Sequence, residues 1–172
     1  MADYHLLTTW RIEAPLAAVF SAIQDSLRWP DWWPGLQQVV QVSAGDARGL
    51  NNVRRYVWKG TLPYRVVFEV CTTRIEHLVA IEGTAKGDLE GIGRWHFARQ
   101  GTISMVHLDW HVRSTRWWMN LIAPVLRPLF IRNHGYIMAQ GGEGLARLLR
   151  SPLVSQESVD LLAENIPPRA AL

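Results

Sequence analysis

The residues best suited to metal chemistry lie in one short stretch, where His107, Asp109 and His111 occupy every second position. Zinc sites use three or four such ligands, and alternate residues of a strand point to one face. The residues that alternate with them are all apolar, namely Val106, Leu108, Trp110 and Val112. The apolar face should be the buried one, so the histidines are predicted to face solvent. Arg94 and His96 of the preceding strand are then available to pair with Asp109. We therefore expect no metal site.

A second polar pair, Asn133 and His134, lies midway along a C-terminal stretch whose apolar residues recur at helical spacing. A polar group buried without a partner costs about 1–3 kcal/mol, so whichever of the two faces the interior needs a hydrogen bond. Either it bonds to a strand and fixes the helix, or it orients a ligand in an apolar pocket. In the second case His134 is the candidate catalytic residue, because a neutral histidine can act as a general acid or base.

Motifs for other kinds of chemistry are missing from the sequence. It contains no G-x-S-x-G motif and no phosphate-binding glycine loop before a helix, so we expect neither a nucleophile of that type nor a cofactor. The net charge is +3, but the arginines are dispersed among acids, which argues against nucleic-acid binding. A single cysteine, Cys71, and an N-terminus without signal-peptide features predict a cytoplasmic protein.

The elements that position these residues follow a simple order in a chain of 172 residues, which suits one domain. A strand at 5–13 precedes a helix with Pro15 in its first turn, and one further helical turn is predicted near 30–33. Six strands follow, at 37–43, 52–60, 64–75, 78–84, 88–99 and 104–114, and the short turns between them indicate an antiparallel sheet. A long helix from about Trp117 to Arg150, broken near Pro124, completes a domain over residues 1–150. Residues 151–172 are expected to form a peripheral tail.

Tryptophan is concentrated in the segment RWPDWWPG, residues 28–35, which holds three of the nine tryptophans together with two prolines. Large rings gain free energy on burial, so most of these are expected to plug the core beneath the long helix. At most one of the three rings is expected to face a ligand. Trp117 and Trp118, close to Arg116, suit ordinary helix packing or the rim of a cavity entrance better than contact with a membrane surface, which is the less favoured alternative.

Four stretches of the sequence resemble one family: the opening helix APLAAVFSAI, the segment RWPDWWPG, the strand GIGRWHF and the helix NLIAPVLRPLFIRNHGYIM. Together with the element order, they resemble the START-like (SRPBCC) superfamily over residues 3–150, and within it the polyketide cyclase/dehydrase and lipid-transport proteins. The resemblance implies an α+β helix-grip fold. In that fold a strongly bent, antiparallel, seven-stranded sheet wraps around the long C-terminal helix, and two short helices follow the first strand.

The resemblance also implies a function, because the fold has an apolar cavity between sheet and helix. We expect the protein to bind a lipid, a polyketide or an isoprenoid-like molecule there. The residues predicted to bind it are Trp33, Tyr56, Trp58, Phe68, Trp95, Trp110, Phe130, Asn133, His134 and Ile137. One alternative is a cofactor-independent cyclase or dehydratase that uses His134, with Asn133 or Tyr136, for proton transfer. A second is a module that binds a partner or a membrane surface through Trp117 and Trp118. The sequence leaves the oligomeric state open.

Overall fold

The computed structural model describes residues 2–163, which form eight strands, two α-helices and one short 3₁₀ helix. In chain order these are β1 (Asp3–Ile12), α1 (Leu16–Gln24), the 3₁₀ helix (Ser26–Asp31), β2 (Leu36–Ser43), β3 (Val53–Trp58), β4 (Val66–Glu76), β5 (Ala80–Gly87), β6 (Leu89–Gln100), β7 (Ile103–Ser114), α2 (Trp117–Leu149) and β8 (Leu153–Asp160).

The strands form one antiparallel sheet in the order β2-β3-β4-β5-β6-β7-β1-β8. Strands β2 to β7 are each joined to the next by a short connection, as the turn residues between them predict. The first strand returns to pair with β7, with Tyr4 opposite Val112 and Trp10 opposite Val106. Helix α2 lies over the inner face of this sheet, so the predicted α+β helix-grip architecture is confirmed.

The prediction of seven strands is one strand short. Residues 153–160, expected to lie in a peripheral tail, form β8 and pair with β1 along the edge of the sheet. Most of this strand is partly or fully exposed and only Asp160 is buried, so it lacks the apolar alternation that reveals an inner strand. The remainder of the expected tail, residues 164–172, lies outside the described residues.

The predicted break in the long helix is also wrong, because α2 runs without interruption from Trp117 to Leu149. Pro124 and Pro128 lie inside it, and both are exposed. A proline removes one helical hydrogen bond, but on an exposed face water can replace the lost partner, so the helix continues past both. No helix within residues 2–163 is long and apolar enough to cross a membrane.

The tryptophan segment is buried against α2. Trp29, Trp32 and Trp33 retain 8%, 8% and 1% of their surface exposed, and the Trp33 Nε1 donates a 2.8 Å hydrogen bond to the carbonyl of Ile137. Glycines on α2 make this close approach possible. A Cβ at Gly141 would lie 2.3 Å from the Trp33 ring, and one at Gly144 would lie 1.9 Å from the Trp32 carbonyl oxygen. The segment therefore plugs the core, as its composition predicts.

Candidate functional site

A cavity of about 220 Å³ lies between the inner face of the sheet and α2. All ten residues that the sequence predicts to bind a ligand line it: Trp33, Tyr56, Trp58, Phe68, Trp95, Trp110, Phe130, Asn133, His134 and Ile137. Trp29 also lines the cavity, whereas Trp32 does not, so two rings of the tryptophan segment lie in the lining rather than the one at most that was expected. The structure thus brings the predicted residues together, and their role in binding stays a prediction.

The wall of the cavity is mainly apolar because alternate residues of several strands face inward. In β7 these are Leu108, Trp110 and Val112, as the alternation in the sequence predicts. In β6 the inward position next to Trp110 is Gly93, and a Cβ there would lie 2.6 Å from the Trp110 ring. The glycine therefore makes room for an aromatic side chain of the wall rather than leaving open space for a ligand.

Asn133 connects α2 to the segment at residues 59–65, which joins β3 to β4. Its Oδ1 accepts hydrogen bonds from the backbone N–H of Thr61 at 2.9 Å and from the Thr61 hydroxyl at 3.0 Å. In the same segment the ring of Tyr64 contacts Trp118 and Phe130 edge-on, at centroid distances of 5.0 and 6.2 Å. Two roles were predicted for Asn133, and these hydrogen bonds to Thr61 support the first, which is to fix the position of the helix. The partner lies in a loop rather than in a strand.

His134 lines the cavity and has no such partner. Its Nδ1 atom is inaccessible to solvent and forms no hydrogen bond with any residue of the described chain. Burial lowers the pKa of His134 to about 4, so the imidazole is neutral at pH 7. His134 Nδ1 is therefore a buried polar atom that the described residues leave without a hydrogen bond.

Besides Tyr56, two further phenols, those of Tyr4 and Tyr64, lie in the same cavity lining. The hydroxyl of Tyr4 is buried and bonds to no described residue, and burial raises the pKa of this phenol. Burial likewise raises the pKa of Tyr64 to about 12, so both phenols keep their protons at pH 7. Tyr136, predicted as an alternative partner for His134, is 50% exposed and does not line the cavity.

A further polar group, which the sequence interpretation missed, lines the cavity where β3 meets the residues after α1. The Tyr56 and Ser26 hydroxyls are 2.7 Å apart, and Arg54 Nη1 donates to the Ser26 Oγ at 2.8 Å. Arg54 Nε is buried and has no partner among residues 2–163. In the sequence Arg54 counts only among the arginines that are dispersed along the chain. It nevertheless shares a strand face with Tyr56 and Trp58. Strand alternation is the signal that could have found it.

The histidines of β7 lie on the other face of the sheet, as predicted. His107 Nδ1 is 3.0 Å from the Thr9 hydroxyl, and burial, followed by the neighbouring His96, lowers the pKa of His107. Asp109 Oδ1 lies 2.9 Å from the Nε2 of His5 on β1, rather than pairing with β6. Within the part of the chain that the structure describes, no three histidine, cysteine or acidic side chains are grouped to hold a metal ion.

The fold is shared with solved structures of low sequence identity from several bacteria. A protein from Thermus thermophilus superposes with a TM-score of 0.67 at 16% identity, over 86% of this chain and 99% of its own. For a START superfamily protein from Mycobacterium smegmatis the TM-score is 0.68 at 14% identity, over 85% of this chain and 97% of the other. For the Zhui aromatase/cyclase from Streptomyces sp. R1128 the TM-score is 0.57 at 14% identity, over 86% of this chain and 96% of the other.

At these identities the structural similarity shows the fold alone. The search of curated proteins gives no match. The sequence model of one family, described as polyketide cyclase/dehydrase and lipid transport, matches residues 5–150. That match spans α2, every predicted binding residue and the whole cavity lining except Tyr4, and it agrees with the resemblance carried by the four sequence stretches. The chain therefore belongs to the polyketide cyclase/dehydrase and lipid-transport family.

Proposed function

We propose that the protein binds a small apolar molecule, such as a lipid, a polyketide or an isoprenoid-like compound, in the cavity between the sheet and α2. The cavity is the observation that carries the proposal. Its volume is about 220 Å³. One water molecule needs only about 10–15 Å³, so the space far exceeds a void for one or two waters. Transfer of apolar ligand surface from water to this aromatic wall supplies the free energy of binding.

The polar atoms in the lining favour a ligand that also carries oxygen. Tyr4 hydroxyl, Arg54 Nε and His134 Nδ1 are all buried and lack a partner among the described residues. Each such group costs about 1–3 kcal/mol when it is left unsatisfied, and a side-chain rotation that turns these atoms toward the cavity would let a ligand with hydroxyl, carbonyl or carboxylate oxygens recover this cost. Arg54 Nε and the Tyr4 hydroxyl can donate to those oxygens, whereas the role of His134 Nδ1 depends on its tautomer.

Native mass spectrometry of freshly purified protein tests this function. We expect a species heavier than the polypeptide, whose extra mass disappears on denaturation and is recovered in an organic extract. We also expect protein stripped of this material to take up a medium-chain fatty acid or an aromatic polyketide at one-to-one stoichiometry. A protein that is purified empty and takes up neither probe would refute the proposal. A cytoplasmic site of action remains a prediction from the sequence.

A cyclase or dehydratase is the second candidate, and the free His134 favours it. A neutral imidazole can accept a proton from the carbon between two keto groups, and the phenol of Tyr4 or Tyr64 can donate one to a developing alkoxide. If this chemistry operates, His134→Gln should lower turnover of a poly-keto substrate by about 10²–10⁴-fold while binding persists. Equal turnover by the variant and the unchanged protein would exclude this role for His134.

A further inference from the structure

The first half of α2 exposes a row of apolar side chains that faces away from the cavity. Trp117, Leu121, Val125 and Leu129 are 76%, 72%, 79% and 41% exposed. They follow one another at intervals of four residues, so they line one side of the helix over a length of about 18 Å. We call these four residues the apolar ridge. Single exposed apolar side chains are common on protein surfaces, but a contiguous row of this kind marks an interaction site.

The opposite side of the same helix is used by the protein itself. Met119, Ala123 and Phe130 are buried, and Met119 and Phe130 line the cavity. Trp118, predicted to form an exposed pair with Trp117, packs on Tyr64 instead. The ridge is therefore not the core-facing stripe of α2. It is a second apolar face, and no described element covers it.

The charges around the ridge indicate what kind of surface it fits. From Trp117 to Gly142 the helix contains Arg127 and Arg132 and no acidic residue. Arg127 pairs with Asp160, whereas Arg132 is exposed and makes no ion pair within residues 2–163. The first turn of α2 also lacks an acidic residue, so the positive end of the helix dipole is left without a compensating side chain. The apolar ridge, with the positive charge of Arg132 and of the helix dipole beside it, therefore complements an anionic surface.

We propose that the apolar ridge docks on an anionic lipid bilayer, with α2 lying in the plane of the interface. Exposed tryptophan, aliphatic side chains and arginine are the residues that such interfacial helices use. A protein groove would be recognised with about one hydrogen bond per 100–200 Å² of interface. The ridge offers a single hydrogen-bonding group, the Trp117 indole, which suits a fluid apolar layer better than a protein partner.

Docking in this orientation has a consequence for the cavity, and this consequence rests on the proposed function. The α2 side chains that line the cavity lie on the far side of the same helix, and the segment 59–65 meets the helix through Tyr64 and Asn133. A protein held by the ridge therefore keeps its cavity one helix diameter, about 10 Å, from the lipid, which gives an apolar ligand a short path between the two.

Flotation of the full chain with lipid vesicles tests the proposal. The protein should float with vesicles of phosphatidylcholine that contain phosphatidylserine, and more weakly with phosphatidylcholine alone or at high salt. Val125→Glu should lower the fraction bound by about tenfold or more, because it places a charge in the acyl region. Leu148→Glu is the matched control, since Leu148 is an exposed aliphatic residue of α2 outside the ridge. Arg132→Gln should reduce the preference for phosphatidylserine.

The absence of flotation with either vesicle, or equal flotation of Val125→Glu and the unchanged protein, would overturn the proposal. A dimer in light scattering that Val125→Glu converts to a monomer, without vesicle binding, would assign the ridge to a second copy instead. Ligand uptake measured without vesicles separates this proposal from the proposed function. Val125→Glu should leave uptake unchanged, and vesicle binding by a protein that takes up no ligand would refute only the proposed function.

Discussion

At the scale of single residues, His134 combines burial, a free ring nitrogen and a place in the cavity lining. Its pKa of about 4 in the folded protein lies below the usual value of 6.5. The unfolded chain therefore binds a proton between pH 6.5 and about 4, where the folded protein does not. It follows that the contribution of His134 to stability is complete above pH 6.5 and decreases as the pH falls toward 4.

This difference predicts a measurable pH dependence. Between pH 7 and pH 4 the free energy of unfolding should fall by about 3 kcal/mol because of His134 alone. His134→Phe should remove this component, so urea denaturation across the pH range should show a shallower decrease for the variant. His107, whose pKa is also lowered, contributes in the same direction in both proteins. Parallel curves for the two proteins would show that His134 is not held neutral by burial.

Arg54 supports a prediction about ligand chemistry. Its buried Nε should bond to an anionic end group, and hydrogen bonds to charged groups contribute about 1.5–3 kcal/mol. Arg54→Met should therefore weaken the binding of a medium-chain fatty acid by about tenfold or more, with a smaller effect on the matching alcohol. Arg55→Met is the control, because Arg55 lies next in β3 but is exposed and pairs with Glu69. If calorimetric titrations showed that Arg54→Met lowers the affinity for the acid and for the alcohol equally, this role would be contradicted.

The aromatic part of the site could be predicted from the sequence, whereas most of its polar part could not. Trp110 and Phe68 follow apolar strand alternation, and Ile137 follows helical spacing, so their positions in the lining were accessible without a structure. Arg54 was missed because an arginine in a strand is usually a surface charge. The partners that satisfy Ser26 and Asn133 come from distant parts of the chain, and such contacts depend on tertiary geometry.

At the scale of elements, the packing of the tryptophan segment on α2 depends on glycines. Gly144→Ala should destabilise the protein by about 1–3 kcal/mol or more, because its Cβ would meet the Trp32 backbone carbonyl, which cannot rotate away. Gly135→Ala is the matched control in the same helix, where the Cβ would lie at an ordinary 3.9 Å from Ser158. That change should stabilise the helix by about 0.5–1 kcal/mol. Thermal unfolding of both variants measures the difference. A similar change in the midpoint temperature of the two variants would contradict the role of Gly144 in this packing.

The elements that the sequence failed to predict have physical reasons in common. Strand β8 is an edge strand with few buried residues, so hydrogen bonding to β1 forms it more than any apolar pattern does. Helix α2 continues through Pro124 because that position is exposed, and exposure is a property of the fold. The inner strands could be predicted from the sequence, because apolar and polar residues alternate in them and short turns separate them.

At the scale of the whole molecule, α2 separates two apolar surfaces with different predicted roles. One side closes the cavity with Phe130, His134 and Ile137, and the other carries the apolar ridge. The tryptophan segment holds the C-terminal half of the helix through Gly141, whereas the segment 59–65 contacts it near Asn133. This arrangement places the cavity beneath a helix whose outer face we propose to dock on a lipid surface.

The central claim is that the cavity binds an apolar ligand, and a cavity-filling pair of variants tests it most directly. Ile137 lines the cavity, whereas its neighbour Tyr136 is 50% exposed and does not. Titration with anilinonaphthalene sulfonate, with circular dichroism to check the fold, should show affinity lowered by about tenfold or more in Ile137→Trp and unchanged in Tyr136→Trp. Equal affinity in Ile137→Trp, Tyr136→Trp and the unchanged protein would contradict binding in this cavity.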